Sequence, residues 1–201
     1  MSADQSSWPP GTIVTWHQSC VFAGLNAAQT EVQIATGINR WTEVCGIVFQ
    51  RVQDVSQARL AVSSVPIDQA FGILGETELP RPDEPNAQLS MHLDNAENWR
   101  ALLLPEVVWH EAGHAIGLQH APMGSNNIMA PVYNPATAQF GPWDTQEAQS
   151  RYGPPVPVPT PVPVPEIPVD PSAVPFATHF PILIAGKVYQ ITFTGMFAVG
   201  R

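Results

Sequence analysis

Residues 110–120 read His-Glu-Ala-Gly-His-Ala-Ile-Gly-Leu-Gln-His. His110 and His114 stand four apart, so on a helix they share one face, one turn above the other. Two imidazoles so placed can bind a single ion. Glu111, beside the first, can reach a water on that ion without ligating it. Gly117 lets the chain leave the helix through a left-handed conformation, and the returning chain brings in His120 as a third nitrogen. The chemistry of such a set is metal-assisted hydrolysis. Three neutral imidazoles leave Zn²⁺ a fourth position for water, the ion lowers that water's pKa towards about 7, and Glu111 serves as base and then acid. On average residue usage the five fixed positions recur by chance less than roughly once per million starting points. That sets aside an ordinary amphipathic helix with surface histidines.

Downstream, Asn127-Ile128-Met129-Ala130-Pro131-Val132-Tyr133 follows the polar turn Gly124-Ser125-Asn126. A lone methionine is ordinary core filling; after a complete zinc motif at this distance it reads as a turn beneath the metal. With these residues the chain resembles the metzincin clan, and within it the matrixins, the catalytic domains of matrix metalloproteinases. The resemblance implies Met129 as the Met-turn and Pro131, Val132 and Tyr133 as the wall of the main specificity pocket, with residues 134–142 as its outer wall. Upstream, Met91 to Trp99 is similar to the matrixin segment His-Phe-Asp-x-x-Glu-x-Trp, which implies calcium at Asp94 and Glu97, hard oxygen ligands that suit that ion. The family's structural zinc does not carry over. Val65 to Ala70 has no histidine, Glu76 stands where another would fall, and one histidine cannot hold a tetrahedral zinc. His92 is then a loop histidine or a minor metal contact. Ala121 in place of the usual Ser, and a step to Met129 one residue longer than usual, also depart from the pattern. The motif around the latency cysteine of matrixin propeptides is absent around Cys20.

These residues need a scaffold. Pro105 and Glu106 suit a first helical turn, and Val107, Val108, Ala112, Ala115 and Ile116 supply the buried side of the ligand helix. Thr12–Trp16 is β-rich, Asn26 to Gln29 looks like a capping box, and Val32, Ala35, Ile38 and Trp41 recur at helical spacing. Residues 46–52 and 58–62 read as strands. Strand, helix, strand implies parallel pairing with a right-handed crossover. The resemblance adds an α+β metzincin catalytic domain: a twisted, mostly parallel five-stranded sheet with one antiparallel edge strand near residues 72–75, and three helices. The last helix would open on an Asp144-Thr145-Gln146-Glu147 capping box, Asp144 at the N-cap, and close near Tyr152-Gly153. In that family the substrate adds to the edge as an extra strand, which makes Leu74 and Gly75 backbone contacts for it.

After residue 153 the composition shifts. Residues 154–175 are a Pro-rich extended linker with a reach of roughly 60–70 Å. Residues 176–201 read as a β-hairpin with a Gly186-Lys187 turn, marginal alone: the start of a truncated second domain, which we favour, a strand donated elsewhere, or a disordered segment.

With 201 residues, 44% hydrophobic and 12% charged, the chain holds one catalytic core, residues 1–153, and an appendage. A net charge of −9 argues against nucleic acid or an anionic membrane as partner, and nothing is apolar enough to span a membrane. No signal peptide is visible; metzincins are mostly secreted, so the resemblance implies an extracellular, trimmed form. Cys20 and Cys45 fall at opposite ends of a helix over residues 26–43, which makes them free thiols. The expectation is a monomeric endopeptidase with one catalytic Zn²⁺, acting on protein or peptide. Two alternatives stay open: a zinc-bearing binding module tethered by the Pro-rich linker, and a structural or adhesive protein centred on the C-terminal segment. The intact Glu111 favours the enzyme.

Overall fold

Strand β1 (Ile13–Gln18) buries Val14 and Trp16, the period of two that turns one strand face to the core. Helix α1 (Ala27–Asn39) opens on Asn26, whose side chain accepts from Gln29 N while the Gln29 side chain accepts from Asn26 N. This is the reciprocal box expected from the sequence. A 3₁₀ turn, Arg40–Glu43, ends the crossover. Strand β2 (Val48–Arg51) then lies parallel to β1. The computed structural model describes residues 7–99, 104–132, 139–156, 174–184 and 187–197.

Strand β3 (Leu60–Val65) pairs parallel on the other side of β1. Strand β4 (Gly75–Thr77) pairs antiparallel with β5 (Leu89–Asp94), and β5 pairs parallel with β3. The order is β2-β1-β3-β5-β4, a mostly parallel five-stranded sheet whose one antiparallel strand lies at the edge. The edge strand starts at Gly75, three residues later than expected. His92 is a strand residue rather than a loop residue: it sits in β5 opposite Glu76, with its Nδ1 3.1 Å from Glu76 Oε1.

Helix α2 (Leu104–Ala115) packs on α1. The approach is close because a Cβ at Gly37 would stand 2.7 Å from Val108 Cβ. The buried stripe of α1 is Thr30, Ile34, Gly37 and Ile38. Val32 was expected on that face and is 53% exposed; apolar type alone misplaced it, since the stripe is set by where α2 comes nearest. Val107, Val108, Ala112, Ala115 and Ile116 are buried as expected.

Helix α3 (Pro142–Tyr152) has its N-cap at Gly141. Asp144 is therefore not the N-cap but the third helical residue, and its carboxylate accepts from Gly141 N at 2.8 Å. The three helices are those expected. Cys20 and Cys45 are buried free thiols, each pushed up to about 11 chiefly by burial, which keeps them protonated and unreactive. No described helix is long and apolar enough to cross a membrane.

Residues 1–156 form one compact unit and residues 157–201 a second. Within the second, β6 (Val174–Ile184) and β7 (Lys187–Phe197) pair as an antiparallel hairpin. The strands are longer than expected. β6 begins inside the stretch read as linker, and Lys187 belongs to β7 rather than to the turn. Pro175 and Pro181 are tolerated because both strands of a hairpin are edges. The extended proline conformation expected for residues 157–173 lies outside the described residues, as does residue 186 of the expected turn.

Candidate active site

Helix α2 carries His110, Glu111 and His114, and Gly117 then turns the chain with φ 86°, the left-handed exit that glycine permits without strain. The returning segment brings His120 to the other two. Their Nε2 atoms converge: His114 Nε2 is 3.1 Å from His110 Nε2 and 3.3 Å from His120 Nε2. In a tetrahedral site with Zn–N near 2.0–2.1 Å, neighbouring nitrogens stand about 3.3–3.4 Å apart, so the spacing fits one zinc ion. The outer nitrogens of two rings are held by backbone carbonyls. His110 Nδ1 is 2.7 Å from Ile128 O and His114 Nδ1 is 2.7 Å from Leu118 O. Such bonds put the proton on Nδ1 and leave Nε2 as a lone-pair donor. Burial and then the neighbouring His110 push His114 down to about 4, and burial lowers His110. Both rings are therefore neutral and ready to ligate near pH 7. Among the described residues these three form the group of at least three metal-ligating side chains.

Glu111 is 4% exposed, yet it lines the cleft over the histidines. Burial pushes its pKa up to about 7; the Thr77 hydroxyl pulls the other way and the charge of Glu76 adds to the rise. A cation among the imidazoles would favour the carboxylate again.

Met129 is fully buried against the ligand helix. A Cβ at Gly113, between the two helical histidines, would overlap the Met129 sulfur and stand 2.7 Å from the Trp41 ring. Ala121 N donates to Met129 O at 2.8 Å, which ties the turn to the residue after His120. Asp144 Oδ2 accepts from Ile128 N and Oδ1 from Met129 N, at 2.8 and 3.2 Å, so α3 grips the same turn. Three aromatic residues hold carbonyls of α2 and the turn that ends it. Trp41 Nε1 donates to Trp109 O, Trp8 Nε1 to Ala115 O, and the Tyr152 hydroxyl to Ile116 O, each at 2.8 Å.

The cleft has a volume of about 820 Å³ and is lined by Leu74, Gly75, Glu111, Pro131 and Val132 together with the histidines. These are residues expected at the site from the sequence. Tyr133 lies outside the described residues, as do residues 134–138 of the expected outer wall. Asp94 and Glu97 are both buried. Sequence reasoning missed Thr77, whose hydroxyl donates to Glu111 Oε2 at 2.7 Å, and also Trp8, Gly113 and the Met-turn grip of Asp144. The period-two relation between Gly75 and Thr77 was the signal available for the first.

Residues 7–153 match the family model described as matrixin. The chain is similar to matrix metalloproteinase-26 of Homo sapiens, 34% identical over 137 residues that cover 60% of this chain and 50% of that protein. It is also similar to karilysin of Tannerella forsythia, 27% identical over 143 residues, 65% of this chain and 30% of karilysin. The hatching enzyme of Paracentrotus lividus is 24% identical over 147 residues, 67% of this chain and 24% of that enzyme. The chain thus spans half or less of the length of these relatives.

Proposed function

Because the chain belongs to the matrixin family, we propose that it is a zinc-dependent endopeptidase that hydrolyses peptide bonds in protein or peptide substrates. The observation that carries this reading is the convergence of His110 Nε2 and His120 Nε2 on His114 Nε2, at 3.1 and 3.3 Å, beside a buried glutamate in one cleft. His110, His114 and His120 would hold the zinc, which supplies Lewis acidity for activating a water and polarising a carbonyl. Glu111 accepts the water's proton as the new C–O bond forms, then passes it to the leaving amine as the C–N bond breaks. Leu74 and Gly75 at the free edge strand offer backbone groups to an extended substrate. Pro131, Val132 and Tyr133 shape the pocket for one of its side chains.

The same reading makes the protein a secreted monomer. Calcium is proposed at Asp94 and Glu97, supported by a Glu97 Oε2 that is buried without a hydrogen-bond partner. The catalytic unit would end near residue 153, with residues 154–175 as linker.

The test is cleavage of a fluorogenic peptide with and without a chelator, alongside metal analysis. The wild type should carry one zinc and lose its activity to the chelator. Glu111→Gln should keep the zinc and lose about 10²–10⁴-fold in turnover. Zinc without any cleavage would favour the alternative, a zinc-bearing binding module. Wild-type turnover in Glu111→Gln would remove the general-base role.

A further inference from the structure

Edge strand β4 meets the general base from two positions. Gly75 and Thr77 are two residues apart and so share one face of the strand, while Glu76 takes the other face, where it meets His92. At Gly75 a Cβ would stand 3.1 Å from Glu111 Cγ, so the missing side chain is what lets the stem of Glu111 lie against the strand. Two residues on, Thr77 Oγ1 donates to Glu111 Oε2 at 2.7 Å. The backbone of Thr77 is itself held by pairing with Met91.

We propose that Thr77 is a positioning residue, whose hydroxyl fixes the rotation of the Glu111 carboxylate for proton transfer. The proposal rests on Glu111 being the general base. The terminal torsion of a glutamate is broad, so a carboxylate with no partner sweeps through orientations that miss the water. A base must keep a lone pair within hydrogen-bond reach of the proton it takes. A hydroxyl on one oxygen sets the plane of the group and leaves the other oxygen for the reaction. Threonine suits this because its β-branch restricts χ1, and a short O–H···O⁻ bond is among the stronger hydrogen bonds. The arrangement also joins two tasks on one strand: a peptide that pairs with the edge at Leu74 and Gly75 docks on the strand that aims the base.

Thr77→Val keeps the shape and removes the hydroxyl, and Thr77→Ser keeps the hydroxyl. Both are compared with wild type as zinc-loaded full chains, by peptide cleavage, zinc content and proton NMR. Thr77→Val should lose roughly tenfold in kcat with KM within about twofold and zinc unchanged. Thr77→Ser should stay within about threefold of wild type. The wild-type spectrum should show a slowly exchanging threonine hydroxyl proton that Thr77→Val lacks. Wild-type kcat in Thr77→Val, equal losses in both variants, or no protected hydroxyl proton in the wild type would each overturn the proposal alone. A zinc-loaded wild type that cleaves nothing overturns the endopeptidase reading, and this proposal with it.

Discussion

Glu97 Oε1 accepts from Phe71 N at 2.6 Å, and this bond helps hold Phe71 at φ 73°, a left-handed conformation rare for an aromatic residue. Oε2 is buried with no hydrogen-bond partner, a costly state for an anionic oxygen. Nearby Asp94 accepts from Ala96 N at 3.0 Å and, at 3.4 Å, from Ile67 N and Asp68 N. These bonds, Ala96 first, hold Asp94 below the ordinary aspartate range. A hard cation would meet the orphaned oxygen. Calcium at about 100 times its dissociation constant should add about 2.7 kcal/mol, several degrees of melting temperature, and Glu97→Gln should abolish the gain. Thermal melts in calcium and in chelator check this; no shift in the wild type would retire the calcium site. At this scale the three-histidine group that could hold a metal was legible because its spacing is local: three of the four residues His110, Glu111, His114 and His120 lie within one helical turn and a half. Thr77 and Trp8 were not, because their partners lie 34 and 107 residues away; strand alternation puts Thr77 on the face of Gly75 but does not say that this face meets Glu111.

Helix α3 acts as a clamp on the turn that carries Ile128 and Met129. Asp144 gathers three backbone N–H groups, those of Gly141, Ile128 and Met129. Asn127 Oδ1 returns the grip by accepting from Trp143 N at 3.1 Å. Removing the carboxylate leaves buried donors unpaired, each a loss of about 1–3 kcal/mol. Asp144→Ala should therefore cost about 2–4 kcal/mol of stability and weaken zinc binding, since the turn it holds carries the Ile128 carbonyl that orients His110. Denaturant unfolding and competitive metal titration measure the two effects; unchanged values in both would show that the clamp is idle. The sequence suggested Asp144 as the N-cap from its type and from Glu147 three residues later. The helix starts earlier because Pro142 suits its first turn and the Asp144 oxygens are occupied by the turn beneath the metal site. Element existence was readable from periodicity and caps. Boundaries, and the buried stripe of α1, depend on neighbours remote in the chain.

For the whole molecule, the composition break at Gly153-Pro154 falls close to the division at Val156 between the two compact units. The first unit contains the sheet, the three described helices and the cleft. A chain ending at Val156 should keep its zinc, its kcat/KM within about twofold and its melting temperature within about 2 °C. Calorimetry and the peptide assay check this; a large loss in either would make residues 157–201 part of the enzyme. Sheet order and the antiparallel edge came from the resemblance, since local pattern does not say which strands become neighbours.

The carbonyl tethers on α2 have a consequence for timing. A growing chain has all three histidines of the candidate metal site by His120, but the Tyr152 hydroxyl that holds Ile116 O, and accepts from Trp8 N at 3.1 Å, comes later. The last of these tethers, on the turn that follows the helix, is thus made only when the final turn of α3 has been synthesised.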